Sequence, residues 1–267
     1  MRQYSLSLRI ATVVFLVSTT PSWAQDTVPK YLALARDFVA NTKPENNSYS
    51  NSRVYTRHPS DLFASEYVVA TDCDGFIEDM FRRTKAGVAE QVKTQKFKTR
   101  HSIFDWHPSI EKEDAFTRIR KVQDILPGDV AAWLYLNTAG HTLAGHMLLI
   151  DSAPVKLAKP RKPVVEGLDQ YEVTIIDTSQ EAKSKDDTRY VSDAGLRDEN
   201  EARGKERGSI ASPNYKGVGR GRIRFYADGA GDIKGIAFSF DKAKFHGLDD
   251  WNIVVCRPRL TSAGTKP

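Results

Sequence analysis

The chain has 267 residues, a formal net charge of +5 and 40% hydrophobic residues. That length allows one large domain or two small ones. So weak a positive balance, spread over the whole chain, excludes the footprint of a nucleic-acid-binding protein. With two cysteines and no HExxH pattern, the sequence holds no metal motif, and no cofactor is expected.

The first residues, MRQYSLSLRIATVVFLVSTTPSWAQ, read as a secretory signal: a basic start at Arg2 and Arg9, the apolar run IATVVFLV, and a small-x-small cleavage site ending at Ala24. The run falls short of the roughly 20 residues a membrane span needs. Residues 1–24 are therefore expected to leave, giving a periplasmic or secreted protein without stable membrane insertion, and residues 25–267 form a single domain. In an oxidising compartment two cysteines suggest either a disulfide or two free thiols, one reactive and one buried. Cys73 and Cys256 lie near opposite ends of the mature chain, so a bridge between them would close a very long loop.

Residues 28–40, VPKYLALARDFVA, carry apolar side chains at helical spacing. NTKPENNSYSNSR follows as a polar loop. In VVATDCDGFIEDMFRR, Thr71 or Asp72 can cap a helix with Cys73 in its first turn; Phe76, Ile77, Met80 and Phe81 form its inward stripe and Gly87 its stop. EKEDAFTRIRKVQDI gives a shorter amphipathic segment before the LPGD turn. The period then changes to short strand-like runs at 130–136, 146–151, 171–177, 222–227, 236–240 and 252–257, with DGAGDIKG as a hairpin connection. Helices followed by strands indicate an α+β domain, with N-terminal helices packed on an antiparallel sheet of about six strands. Residues 179–216 are charged and nearly devoid of core residues, and read as a polar insertion or lid. Arg220, Arg222 and Arg224 alternate along one strand face, which reads as solvated.

A cysteine in a first helical turn is a candidate nucleophile, because the positive end of the helix dipole favours the thiolate. Asp72 and Asp74 oppose ionisation, so an imidazole is needed beside the sulfur. Of six histidines, His146 opens a strand with small neighbours, Ala144 and Gly145, while His141 belongs to the preceding loop. Asp177, ending the next strand, is a candidate to orient the imidazole; Asp151 is a poorer one.

The ordered set DCDGF, LPGDVAAW and GHMLLID, followed by a strand ending in a polar residue, resembles the NlpC-type cell-wall peptidases, papain-like cysteine hydrolases. The resemblance covers roughly residues 66–180. It implies a papain-like fold, with Cys73 as nucleophile, His146 as base and Asp177 at the orienting position. It also implies a peptidoglycan stem peptide, or another amide, as substrate, with Asp72 near the substrate's free amine and Asp74 beside it. Asp74 stands where the family usually has Ser, the aromatic-glycine element upstream of the cysteine is missing, and the third position is more often His, Asn or Gln. Two alternatives stay open: acyl transfer or another amidase reaction on the same fold, and a non-catalytic envelope-binding protein with a Cys73–Cys256 disulfide.

Overall fold

The computed structural model describes residues 28–51, 55–94, 100–136, 142–191 and 216–261. Residues 1–24, read above as a signal, His141 and residues 192–215 of the polar stretch lie outside them.

Helix α1 (Lys30–Asn41) starts after Pro29 and buries Tyr31, Leu32, Ala35 and Phe38 along one stripe. Val28, expected in that stripe, precedes the helix and is exposed. The polar run that follows holds strand β1 (Asn47–Tyr49), where a loop was expected. Its partners override its polarity. It pairs in parallel with β3 (Val68–Thr71), whose other edge pairs antiparallel with β2 (Tyr55–Arg57). The Asn47 amide also exchanges two hydrogen bonds of 2.8 Å with the backbone of Val218.

Helix α2 (Cys73–Arg83) is capped by Asp72, whose side chain accepts from Gly75 N at 3.1 Å, a contact worth about 1 kcal/mol. Helix α3 (Ile103–Glu111) was not foreseen, because Pro108 sits inside it; the capping box of Ser102 and Asp105 starts it. The segment expected to be amphipathic, 111–125, instead contains strand β4 (Phe116–Ile119), held by pairing with the last strand, β12.

The remaining elements are β5 (Val130–Leu136), β6 (Thr142–Ile150), β7 (Val155–Lys156), β8 (Asp169–Ser179), α4 (Thr188–Val191), β9 (Gly217–Ala227), β10 (Ile233–Ala237), β11 (His246–Gly247) and β12 (Val254–Pro258). Among the described residues they form a nine-stranded sheet in the order β11-β10-β9-β8-β6-β5-β12-β4, with β7 on β8. Its pairings are antiparallel, including the β9–β10 hairpin. The six strands read from the sequence are all present, several with shifted ends; β4, β7 and β11 are additional. The fold is α+β with a large antiparallel sheet.

Strand alternation gives the sheet two apolar faces. Met147, Leu149, Ile176, Val254 and Cys256 pack under α1, α2 and α3, together with Phe76, Met80 and Trp106. Trp133, Leu148, Ile150, Val173, Ile175 and Ile223 form a second core on the opposite face. The candidate residues His146 and Asp177 lie on β6 and β8, next to the point where these two strands stop pairing.

Candidate active site

Strands β6 and β8 pair only at Leu149–Ile176 and Ile150–Ile175. Toward His146 on one strand and Asp177 on the other, a gap opens between them, while each stays paired with its outer neighbour. The N-terminus of α2 meets this gap. Cys73 is the first residue of the helix and is buried, and its sulfur faces the backbone amide of Met147, one residue along β6 from His146. The Asp177 charge also reaches that sulfur.

His146 pairs across the ladder with Trp133, on the face away from the helices. Its Nε2 lies 2.8 Å from Asp177 Oδ2, and both side chains are buried. The ring packs against Trp133 at 5.1 Å and Phe238 at 4.7 Å between centroids, and Trp251 stacks on Trp133. The three residues singled out from sequence thus lie around one stretch of β6 and β8. His146 and Asp177 are in direct contact, and Cys73 faces the amide that follows His146.

Electrostatics correct one expectation. The helix mouth was expected to lower the Cys73 pKa, but burial outweighs the dipole and, with Asp74, pushes the thiol well above the ordinary range. Burial likewise lowers His146, against the raising effect of the Asp177 hydrogen bond and charge. Asp177 is held far below the usual carboxylate range despite burial, because Arg189 and Lys183 stand beside it. The resting pair is therefore a neutral thiol and a neutral imidazole, with the negative charge on Asp177.

Asp72 and Asp74, expected at the substrate, are answered from inside the protein. Arg100 Nη1 donates to Asp72 Oδ1 at 2.7 Å and lies 3.3 Å from Asp74 Oδ1. Asp74 Oδ2 accepts from Ile103 N at 2.6 Å, so this carboxyl caps the start of α3. Burial and the neighbouring Asp72 push Asp74 up to about 7. Both aspartates shape the helix mouth. Of the small residues before His146, Gly145 faces α3, where a Cβ would lie 2.6 Å from Ile103 Cγ1, and Ala144 is exposed.

Lys183, Asp187 and Arg189 were missed. They lie in the stretch read as a polar insertion, yet all three are buried. Arg189 Nη2 donates to Asp177 Oδ1 at 2.7 Å, and its Nε donates to Asp187 Oδ1 at 2.9 Å. Lys183 Nζ lies 3.7 Å from Asp177 Oδ2 and donates to Ser179 Oγ at 2.7 Å. A signal was present in GVGRGRIRF. A Cβ on Gly219 would meet Arg189 Nε at 2.3 Å, and one on Gly221 would meet Asp187 Oδ2 at 2.2 Å. Alternating glycines along a strand mark a face on which another segment lies directly.

The neighbouring arginines run from exposed Arg220 to buried Arg224, so only part of that face is solvated. Arg224 is fully buried and donates to the carbonyls of Arg161, Lys162 and Lys242. Arg222 bridges Glu172 and Asp186, and Arg220 binds Asp151. Asp151, the poorer candidate for orienting the imidazole, is held by Arg36 and Arg220.

Both cysteines are free thiols, which removes the disulfide alternative for this conformation. Cys256 lies in the apolar core of the helix-covered face. Among the described residues no cluster of His, Cys, Asp and Glu could hold a metal, and no helix is long and apolar enough to cross a membrane.

An uncharacterized protein of Acanthamoeba polyphaga mimivirus, R653, is 25% identical over 182 residues, covering 66% of this chain and 71% of that one. No family model and no solved structure matches the chain.

Proposed function

We propose that the protein is a papain-like cysteine hydrolase that cleaves an amide bond, with Cys73 as nucleophile, His146 as base and Asp177 as the group that orients it. The observation that carries this reading is a buried His146–Asp177 pair on the strands beside a helix-mouth cysteine whose sulfur faces the amide following His146. The NlpC-type pattern in the sequence points to peptidoglycan stem peptides as the substrate class, and the leader-like N-terminus to action outside the cytoplasm.

Because thiol and imidazole rest neutral, the chemistry is general-base catalysis rather than attack by a standing thiolate. Nε2 of His146 is committed to Asp177, which leaves Nδ1 to take the thiol proton as sulfur adds to the carbonyl carbon. The same proton then goes to the leaving amine, and a thioester remains on Cys73. Water, deprotonated by His146, releases the acid and restores the thiol. The amide of Cys73 precedes the capped N–H of Gly75 in the first turn and is offered to the oxyanion. Asp177 stays ionised throughout and stabilises the imidazolium formed in each transfer.

The test is hydrolysis of purified muropeptides by the full chain and by Cys73→Ala. Turnover is expected to vanish in the variant while its melting curve stays cooperative; unchanged turnover overturns the assignment.

A further inference from the structure

We propose that Lys183 and Arg189 are positioning residues: they fix Asp177 as a permanent anion, so that His146 carries its neutral proton on Nε2 and presents Nδ1 as the basic nitrogen. This deepens the hydrolase reading and rests on it for what Nδ1 then does.

The geometry divides the two oxygens of Asp177. Oδ1 accepts from Arg189 Nη2 at 2.7 Å, and Oδ2 faces His146 Nε2 at 2.8 Å with Lys183 Nζ at 3.7 Å. A protonated carboxyl at this place would donate to Nε2 and force the proton of the ring onto Nδ1, the wrong tautomer for taking a proton from sulfur. An isolated buried carboxylate would take up that proton. Two buried cations beside it prevent this. Arg189 is in turn anchored by Asp187, and its Nη1 donates to the Gly217 carbonyl at 3.2 Å. Lys183 is held by Ser179 and by the face of Phe238, 3.6 Å from Nζ to the ring centroid. That same phenyl ring packs on His146, so Phe238 touches both the ammonium and the imidazole.

The charges facing His146 come from several elements: Asp177 on β8, Lys183 in the segment after it, and Arg189 on α4. Asp187 and Glu181 lie behind Lys183. Two carboxylates and two cations, Asp177 and Asp187 with Lys183 and Arg189, form the fully buried part of this set. Lys183 is pushed down to about 8 by burial, and stays protonated at neutral pH through its place beside Asp177. Gly219 and Gly221 let the segment lie flat enough on β9 for both cations to reach the carboxylate.

The test is nitrogen NMR of the full chain with labelled histidine, His146 being assigned by the signal lost in His146→Gln. At pH 7 the neutral ring is expected with its proton on Nε2; a proton on Nδ1, or a charged ring, overturns the proposal without any further variant. In Lys183→Met, which keeps the length of the side chain, the His146 titration is expected to rise by about one pH unit, the effect of removing a nearby like charge. An unmoved titration in a folded Lys183→Met protein also overturns it. Arg189→Lys keeps the charge at Asp177 and should titrate closer to wild type than Arg189→Met; equal behaviour of the two counts against the clamp. None of these readouts needs turnover. The expected tautomer in a protein without hydrolytic activity would sink the hydrolase reading alone, and the wrong tautomer in an active enzyme would sink the clamp alone.

Discussion

Asp151 and Asp177 are both strand-end aspartates with fully buried side chains, each holding two cations, yet they belong to different kinds of place. The partners of Asp151, Arg36 and Arg220, are 39% and 49% exposed and reach in from solvent. Together they staple α1 to β9 across the end of β6. The partners of Asp177, Lys183 and Arg189, are 2% and 1% exposed, and an imidazole completes the set. Burying four charges is a poor route to stability, since apolar residues of the same volume do as well or better. What the Asp177 cluster supplies instead is a fixed negative charge beside His146, in a dry setting where charge acts strongly. Carboxylate burial does not separate the two aspartates; the exposure of their cations and the presence of an imidazole do.

The sharpest break between the two regions is catalytic. His146→Gln should lower kcat/KM by about 10²–10⁴-fold, the usual contribution of a general base, whereas Asp151→Ala should leave it within about twofold. Steady-state kinetics on muropeptides read both. Stability separates them next. Asp177→Ala strands Lys183 and Arg189 in the interior and is expected to cost about 3–5 kcal/mol in urea unfolding. Asp151→Ala frees two half-exposed guanidinium groups to turn to water, and should cost about 1.5–3 kcal/mol.

A smaller effect tests the packing of the Asp177 region. Gly221→Ala forces a methyl group against the Asp187 carboxylate and is expected to cost about 1–3 kcal/mol, while Gly229→Ala, with open space around it, should be close to neutral. Thermal melts of the two variants decide this. The mildest effect is on pH dependence. The base must be neutral to act, and burial holds its pKa below the ordinary value of 6.5. Protonation therefore removes activity only as pH falls through that lowered value. kcat/KM should stay level on descending through 6.5 and drop below it; an acid limb centred above 6.5 would place a different base in the site.

Much of this arrangement was legible in the sequence, for reasons that can be stated residue by residue. The α2 stripe and its Asp72 cap are local patterns, and local patterns fixed the place of Cys73. His146 and Asp177 were recoverable from the strand periods, although His146, expected to open its strand, lies in the middle of β6, and Asp177, expected to end its strand, has two more β8 residues after it. Their contact follows from β6 and β8 being antiparallel neighbours. What was lost depends on contacts distant in the chain. Strand β1 forms only because β3 and Val218 receive it. Asp72 and Asp74 look like open carboxylates until Arg100 and Ile103 arrive from beyond residue 99. Lys183, Asp187 and Arg189 look solvated because composition cannot show that opposite charges will be buried against each other. Only the spaced glycines of β9 recorded that the segment lies on them.

The central claim is that one sulfur depends on one imidazole, and alkylation reads this without knowledge of the substrate. Wild type and His146→Ala are treated with iodoacetamide at pH 7, and each cysteine is followed by peptide mass. Modification of Cys73 is expected to slow about tenfold or more in His146→Ala, with Cys256 unmodified in both. A Cys73 rate indifferent to His146, or recovery of the two cysteines as a disulfide, would contradict the claim.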